Sequence, residues 1–376
     1  MLFLVGITLA KIVCVLAVAV AAFAPLLIWA ERRQSAMIQD RLGPMRANIQ
    51  ILGMNITLGG MLHPVADALK LFWKEDFVPP KADKFLHAIA PMIALIPALA
   101  AFTVIPFGNT LYLDALNQVL PADGAIESAH AIQLQIATID VGILFIFAVA
   151  GTGVVGAAIG GYASDNKFSL IGGVRAASQM VSYEVVLGLT LIPCFMVYQS
   201  LRLEDMAMWQ HENTWGILNP ALFFAFILYF VAAVAENKRV PFDLPEGESE
   251  LVGGYLTEYS SMRFGMFFMG EFIEVVVLGA LAVVIFFGAW DVPFLTRSGF
   301  DVFGHYLPMV HWLVALIQVV VFILKIIVLM WFQLMVRWTL PRFRYDQVMK
   351  LCWKGLLPLA LINILFTGVL LLAWRS

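Results

Sequence analysis

Eight apolar runs divide the chain, at approximately 2–30, 84–106, 136–160, 171–198, 218–236, 264–289, 309–337 and 352–374. Each is close to or above the ~20 residues that a helix needs to cross a bilayer. Within lipid, only helices or closed barrels satisfy every backbone group. The runs are continuous rather than alternating, so they predict helices. The expected fold is all-α: a single polytopic membrane domain over residues 1–376 with about eight transmembrane helices. Composition agrees, with 61% hydrophobic and 13% charged residues, where a soluble domain carries about 25% charged. The run Met1–Ala30 lacks a basic leading segment and is too long for a signal peptide, so it reads as a first span.

Lysine and arginine set the orientation. Arg32, Arg33, Arg41, Arg46, Lys70, Lys74, Lys81 and Lys84 follow the first run. The third, fifth and seventh connections add ten more, from Lys167 to Lys354. Only Arg202, Arg297 and Arg375 fall on the other side, while Lys11 and Lys325 lie within runs. The asymmetry predicts that the first long loop is cytoplasmic and that both termini lie outside, in the periplasm of a bacterium. Within that loop, "HPVADALKLFWKED" places Val65, Ala68, Leu69 and Phe72 at helical spacing. It predicts an amphipathic helix at about 63–75 lying along the membrane surface.

Several chemistries lose support. Cys14, Cys194 and Cys352 stand alone, which excludes a self-contained iron–sulfur or cysteine–zinc site and a disulfide framework. No two histidines are paired at i, i+4 as on a zinc helix. "GTGVVG", Gly151–Gly156, matches a dinucleotide fingerprint, but that motif needs a strand before it and a helix after it. Inside an apolar run, small residues instead let helices approach closely.

Ionisable residues at membrane depth are costly, about 2.5–3.5 kcal/mol each at a helix centre. The set read from the runs is Lys11, Asp140, Glu184, Glu236, Glu271, Glu274 and Lys325. Glu271 and Glu274, at i, i+3, share one helix face. Burial and mutual repulsion bring carboxyls toward neutral pKa values, which suits them to take and release protons. The bland alternative is that they are neutral groups hydrogen-bonded across helices. Lys11 and Lys325 read as snorkelling or paired structural cations.

The densest acidic segment is the loop at about 236–262. "AENKRVPFDLPEGESELVGG" carries Glu236, Asp243, Glu246, Glu248 and Glu250 against Lys238 and Arg239. Pro241 and Pro245 bar a continuous helix there. Phe242, Leu244, Leu251 and Val252 are interleaved with the acids, which points to a packed loop that directs its carboxylates toward something.

At these residues a family resemblance becomes specific. "AENKRVPFDLPEGESELVGGYLTEYS" resembles the signature loop of the quinone-site membrane subunit of respiratory complex I, the H/ND1-type subunit family of NADH–quinone oxidoreductases. Five further blocks agree in order: 29–44, 63–76, 164–184, 267–272 and 337–360. The resemblance implies a subunit of a redox-driven proton pump, in which quinone enters through a tunnel in this subunit. Quinone is the substrate; flavin, iron–sulfur cluster and metal are not expected in this chain itself. The implied partners are the other membrane-arm subunits, the peripheral iron–sulfur and quinone-site subunits and the lipid bilayer, with no nucleic acid. By motif position, Glu31, Arg32, Asp67, Lys70, Arg239, Asp243, Glu246 and Glu248 would line the tunnel. Glu184, Glu236 and Glu271, with Tyr183 and Glu258, would begin a buried proton path, and Arg175 and Arg263 would be charge partners. Electron transfer itself would belong to the partners. The chain departs from the pattern at Met45, over 47–60 and at His63, and Glu274 is an acid the resemblance does not supply. The homologous subunit of an energy-converting hydrogenase or ferredoxin-driven complex stays open as an alternative. So do a stand-alone secondary transporter and a purely structural anchor.

Overall fold

The computed structural model describes residues 2–51, 54–120, 131–302 and 305–375. All eight runs are helical. Among the described residues, seven helices are long and apolar enough to cross a membrane: Val5–Ile38, Lys84–Val104, Gly142–Ala163, Lys167–Tyr198, Ser261–Phe286, His311–Thr339 and Tyr345–Ala373. The run at 218–236 forms a shorter apolar helix, Pro220–Glu236, of 17 residues. In chain order these are spans one to eight.

Proline shapes two of the spans. The first widens to a π-helical turn over Val18–Phe23, and the eighth does so over Leu351–Leu356. Pro25 and Pro358 follow closely. A proline removes the donor that the carbonyl four residues earlier would use and crowds that carbonyl. The wider turn lets the helix pass without breaking.

Span six is the central helix, with 83% of its apolar window buried inside the protein. Around it, glycines set the helix separation. A Cβ at Gly156 would lie 2.7 Å from the Ala94 nitrogen, and one at Gly161 would lie 2.5 Å from the Ser169 oxygen. The "GTGVVG" segment is therefore a helix-packing surface between spans two, three and four. Its place inside the span Gly142–Ala163 excludes the strand-to-helix turn of a dinucleotide site.

Loops gather at the two ends as the charge pattern predicts. At one end, the Asp83 amide donates to the Ala163 carbonyl (3.1 Å), and Arg342 pairs with Asp243 (2.7 Å). The amphipathic helix spans Leu62–Trp73 and docks at the same end. Arg32 meets Asp67 at 2.5 Å, and the Ser261 hydroxyl donates to the Leu71 carbonyl (3.0 Å). Val65, Leu69, Phe72 and Trp73 of this helix are left exposed.

At the opposite end, Lys325 donates to the carbonyls of Phe287, Ala289 and Asp291 at 2.7–3.0 Å. It thereby caps that end of span six. Asp291 in turn accepts from Trp215 Nε1 (2.7 Å) and lies 2.6 Å from His211 Nδ1. Lys11 donates to the Gln135 carbonyl (3.0 Å). Asp140 corrects the expectation of a membrane-depth acid. It precedes the helix that begins at Gly142, its side chain is 94% exposed, and it sits 3.8 Å from Arg202.

Candidate acidic cavity and its loop

Span six brings Glu271 and Glu274 to one face, and the neighbouring helices complete the enclosure. A cavity is lined by Glu184 of span four, Glu236 at the end of span five, and Glu271 and Glu274. Lys238 and Tyr255 of the acidic loop also reach its wall, while Ala94, Ala98, Ala150 and Gly153 leave it room. Gly151 lies against Glu184, since a Cβ there would come within 3.0 Å of Glu184 Oε1. Glu274 thus joins the acids singled out by the family resemblance.

The loop between the ends of spans five and six is packed and cross-braced rather than a solvated turn, with Glu250 and Val252 exposed on it. Phe242, Leu244 and Leu251 are buried in it. The Gln179 side-chain nitrogen donates to the carbonyls of both Ala235 and Phe242, each at 2.8 Å. The Tyr255 hydroxyl donates to Glu271 Oε1 at 2.5 Å. Lys238 Nζ lies 3.9 Å from the same carboxylate oxygen, and Arg239 Nη2 lies 3.8 Å from the other one.

Arg239 also faces away from this cavity. Its Nη1 is 3.7 Å from Glu31 Oε2, and its guanidinium lies over the Phe272 ring, 4.2 Å from the centroid. Arg337 pairs with Glu31 at 2.7 Å. Glu31, Asn237, Arg239, Phe272 and Arg337 line a second, smaller cavity. Arg239 is therefore the one side chain among the described residues that pairs with an acid of each cavity.

The loop's own groups are perturbed for physical reasons that can be named. Burial raises the Asp243 carboxyl to about 6, against the opposing pull of Arg342. Burial, then the charges of Glu271 and Asp243, holds Glu246 well above the ordinary carboxylate range, and Arg239 only partly offsets them. For Lys238, burial works against the charge, but Glu274, Glu271, Glu246 and Glu236 outweigh it and favour the ammonium.

Other expected site residues are placed elsewhere. Tyr183 is buried on another side of span four, where its hydroxyl donates to the Val348 carbonyl (2.9 Å). Glu258 accepts from the Asn166 side chain (2.6 Å). Neither residue lines the acidic cavity. Arg175 pairs with Glu250 (2.7 Å), and Arg263 pairs with Asp76 (3.2 Å), so neither contacts the buried acids directly. Lys70 is exposed on the amphipathic helix. The Glu248 side chain lies outside the described residues. Sequence reasoning missed Arg337 and Arg342 as partners of Glu31 and Asp243. Their position in the basic connection after span seven was the available signal.

The comparisons with known proteins cover almost the whole length of the chain. The family described as NADH dehydrogenase matches residues 10–368. Geobacter metallireducens has two relatives, both H-type subunits of NADH-quinone oxidoreductase. The one numbered 1 is 43% identical over 368 residues, covering 98% of this chain and 97% of the relative. The one numbered 2 is 41% identical over 342 residues, covering 91% of this chain and 89% of the relative. The H-type subunit of Flavobacterium psychrophilum is 42% identical over 347 residues, 92% of each chain. With this coverage and identity, the chain belongs to the NADH dehydrogenase family of membrane proteins, that of the H-type subunits of respiratory complex I.

Proposed function

We propose that this protein is the membrane subunit of a proton-pumping NADH–quinone oxidoreductase, where it forms the quinone tunnel and the start of a buried acidic proton path. The observation that carries this reading is the enclosure of Glu184, Glu236, Glu271 and Glu274 in one cavity walled by the acidic loop. Four carboxyls line one cavity whose lining holds a single cation, Lys238, so more acids than counter-charges share one buried space. Such a cluster holds protons and exchanges them when a nearby charge changes.

Arg239 is the link in this reading. Its two ends face Glu31 and Glu271. A quinone headgroup in the tunnel takes two electrons from partner subunits and two protons on reduction. Negative charge developing on the Glu31 side draws the Arg239 guanidinium toward itself. Glu271 then loses part of its counter-charge and takes up a proton, and the change passes to Glu274, Glu236 and Glu184. Arg32, Asp67 and Lys70 belong to the tunnel side, as do Asp243, Glu246 and Glu248. Glu258 and Tyr183 brace the helices around the path.

In this reading the electron carriers are in partner subunits, and this chain supplies the route and the charge relay. It sits in the bacterial inner membrane among other membrane-arm subunits, with its basic loops and the acidic loop toward the cytoplasm and both termini toward the periplasm. The test is Glu184→Gln in intact membranes, with NADH–quinone turnover and proton uptake measured together. Loss of proton uptake is expected; unchanged rate and stoichiometry would sink the relay. Asp243→Asn and Glu248→Gln examine the loop, and unaltered quinone kinetics in both would count against its part.

A further inference from the structure

Lys238 is the charged loop residue in the cavity wall to which the acid relay gives no task. It is only 8% exposed and lines the larger cavity with the four glutamates. Its ammonium lies 3.9 Å from Glu271 and 5.9 Å from the Tyr255 ring centroid. Its backbone is left-handed, with φ of 52°, a conformation sterically unfavourable to a non-glycine residue. The fold thus accepts two penalties at one position, a desolvated ammonium and a strained backbone.

The charged and titratable groups facing it come from every surrounding element. Glu236 ends span five, Glu246, Arg239 and Tyr255 belong to the loop, and Glu271 and Glu274 belong to span six. Arg239 is shared with Glu31, so its hold on Glu271 is divided between two cavities. Among the described residues, the acids that act on Lys238 all belong to the cluster around the larger cavity and its loop. Its flexible stem and three rotatable donors suit it to follow charge among several carboxylates, which a planar guanidinium does less well.

We propose that Lys238 is a positioning residue for the proton path, the internal counter-ion that keeps Glu271 ionised and so holds one proton vacancy open at the loop side of the cavity. This rests on the proton-path reading above. When Arg239 moves toward the tunnel, Lys238 is the cation that stays. Its presence limits the cluster to a single added proton and prevents Glu271 from filling before quinone is reduced.

The experiment places Lys238→Gln and Lys238→Arg in the intact complex in membranes. Infrared absorption of protonated carboxyl groups is recorded with the pH profile of NADH–quinone turnover. Without the ammonium the cluster binds one more proton, so K238Q gains protonated-carboxyl absorption. Its acidic rate limb moves up by about 1–3 pH units, the usual effect of an opposite charge at this range. K238R restores both readouts. An assembled K238Q complex with unchanged absorption and pH profile overturns the inference. If K238Q does not assemble, the Lys238→Gln/Glu271→Gln double variant decides. Assembly of the double variant supports the counter-ion role, because the unpaired buried charge is gone, and its failure overturns that role. If Glu184→Gln leaves proton uptake unchanged, the path reading falls, while the carboxyl absorption of K238Q still reads the counter-ion itself.

Discussion

The Tyr255 hydroxyl and the Glu271 carboxylate are joined by a 2.5 Å hydrogen bond, and with Lys238 and Arg239 alongside they tie the acidic loop to the central helix. Tyr255→Phe removes the donor and leaves the buried carboxylate one partner short. The detergent-solubilised complex is expected to lose about 1–3 kcal/mol of stability at this junction. Thermal unfolding of the variant against wild type checks the loss.

Asp243 gives a pH dependence with a definite sign. Its folded value is raised from an ordinary 3.8 to about 6, so between those values the folded protein binds more protons than the unfolded chain. Stability therefore falls as pH rises from about 4 to about 6, by roughly 3 kcal/mol in all, and levels off above that. Asp243→Asn removes this part of the slope. Melting temperatures of both proteins across that pH range measure it.

The contact between Gly151 and Glu184 yields a matched pair of variants. Gly151→Val drives side-chain atoms into space next to the carboxylate, where even a Cβ would sit 3.0 Å from Oε1. Proton uptake per NADH is expected to drop while the complex still assembles. Gly188→Ala, on span four and outside the cavity lining, adds its methyl group where nothing lies within 4 Å, and it should pump as wild type does. Equal proton uptake in the two variants would show that Glu184 tolerates displacement.

Lys325→Met strips three carbonyls just beyond the C-terminal end of span six of their shared donor. A loss of about 2 kcal/mol or more is expected, since each orphaned group carries a desolvation penalty of about 1–3 kcal/mol. Faster proteolysis within residues 287–310 and a lower melting temperature are the measurable signs.

Much of this architecture was legible because membrane physics writes it in long strokes. The apolar runs became helices since lipid admits few alternatives, and alternate basic connections gathered at one end. The interleaving of Phe242, Leu244 and Leu251 with acids signalled a packed loop, whereas Val252, named with them, is 64% exposed. What stayed hidden depends on rotation about helix axes and on cross-chain pairing. Tyr183 and Glu184 are adjacent in sequence, yet roughly 100° apart around an ideal helix, and only Glu184 meets the cavity. Asp140 read as a membrane-depth acid because the apolar run extends past it, whereas the helix starts at Gly142. Arg337 and Arg342 lie about a hundred residues or more from Glu31 and Asp243. No local pattern connects such distant partners.

Gln179 carries a mechanical consequence. One amide nitrogen grips the carbonyls of Ala235 and Phe242, five residues before Glu184 on the same helix. The start of the acidic loop is therefore not a free flap swinging from the end of span five. To shift it, the clamp must either break or drag span four along. With the clamp intact, a sideways push on the loop becomes a twist or slide of span four, delivered less than two turns from Glu184.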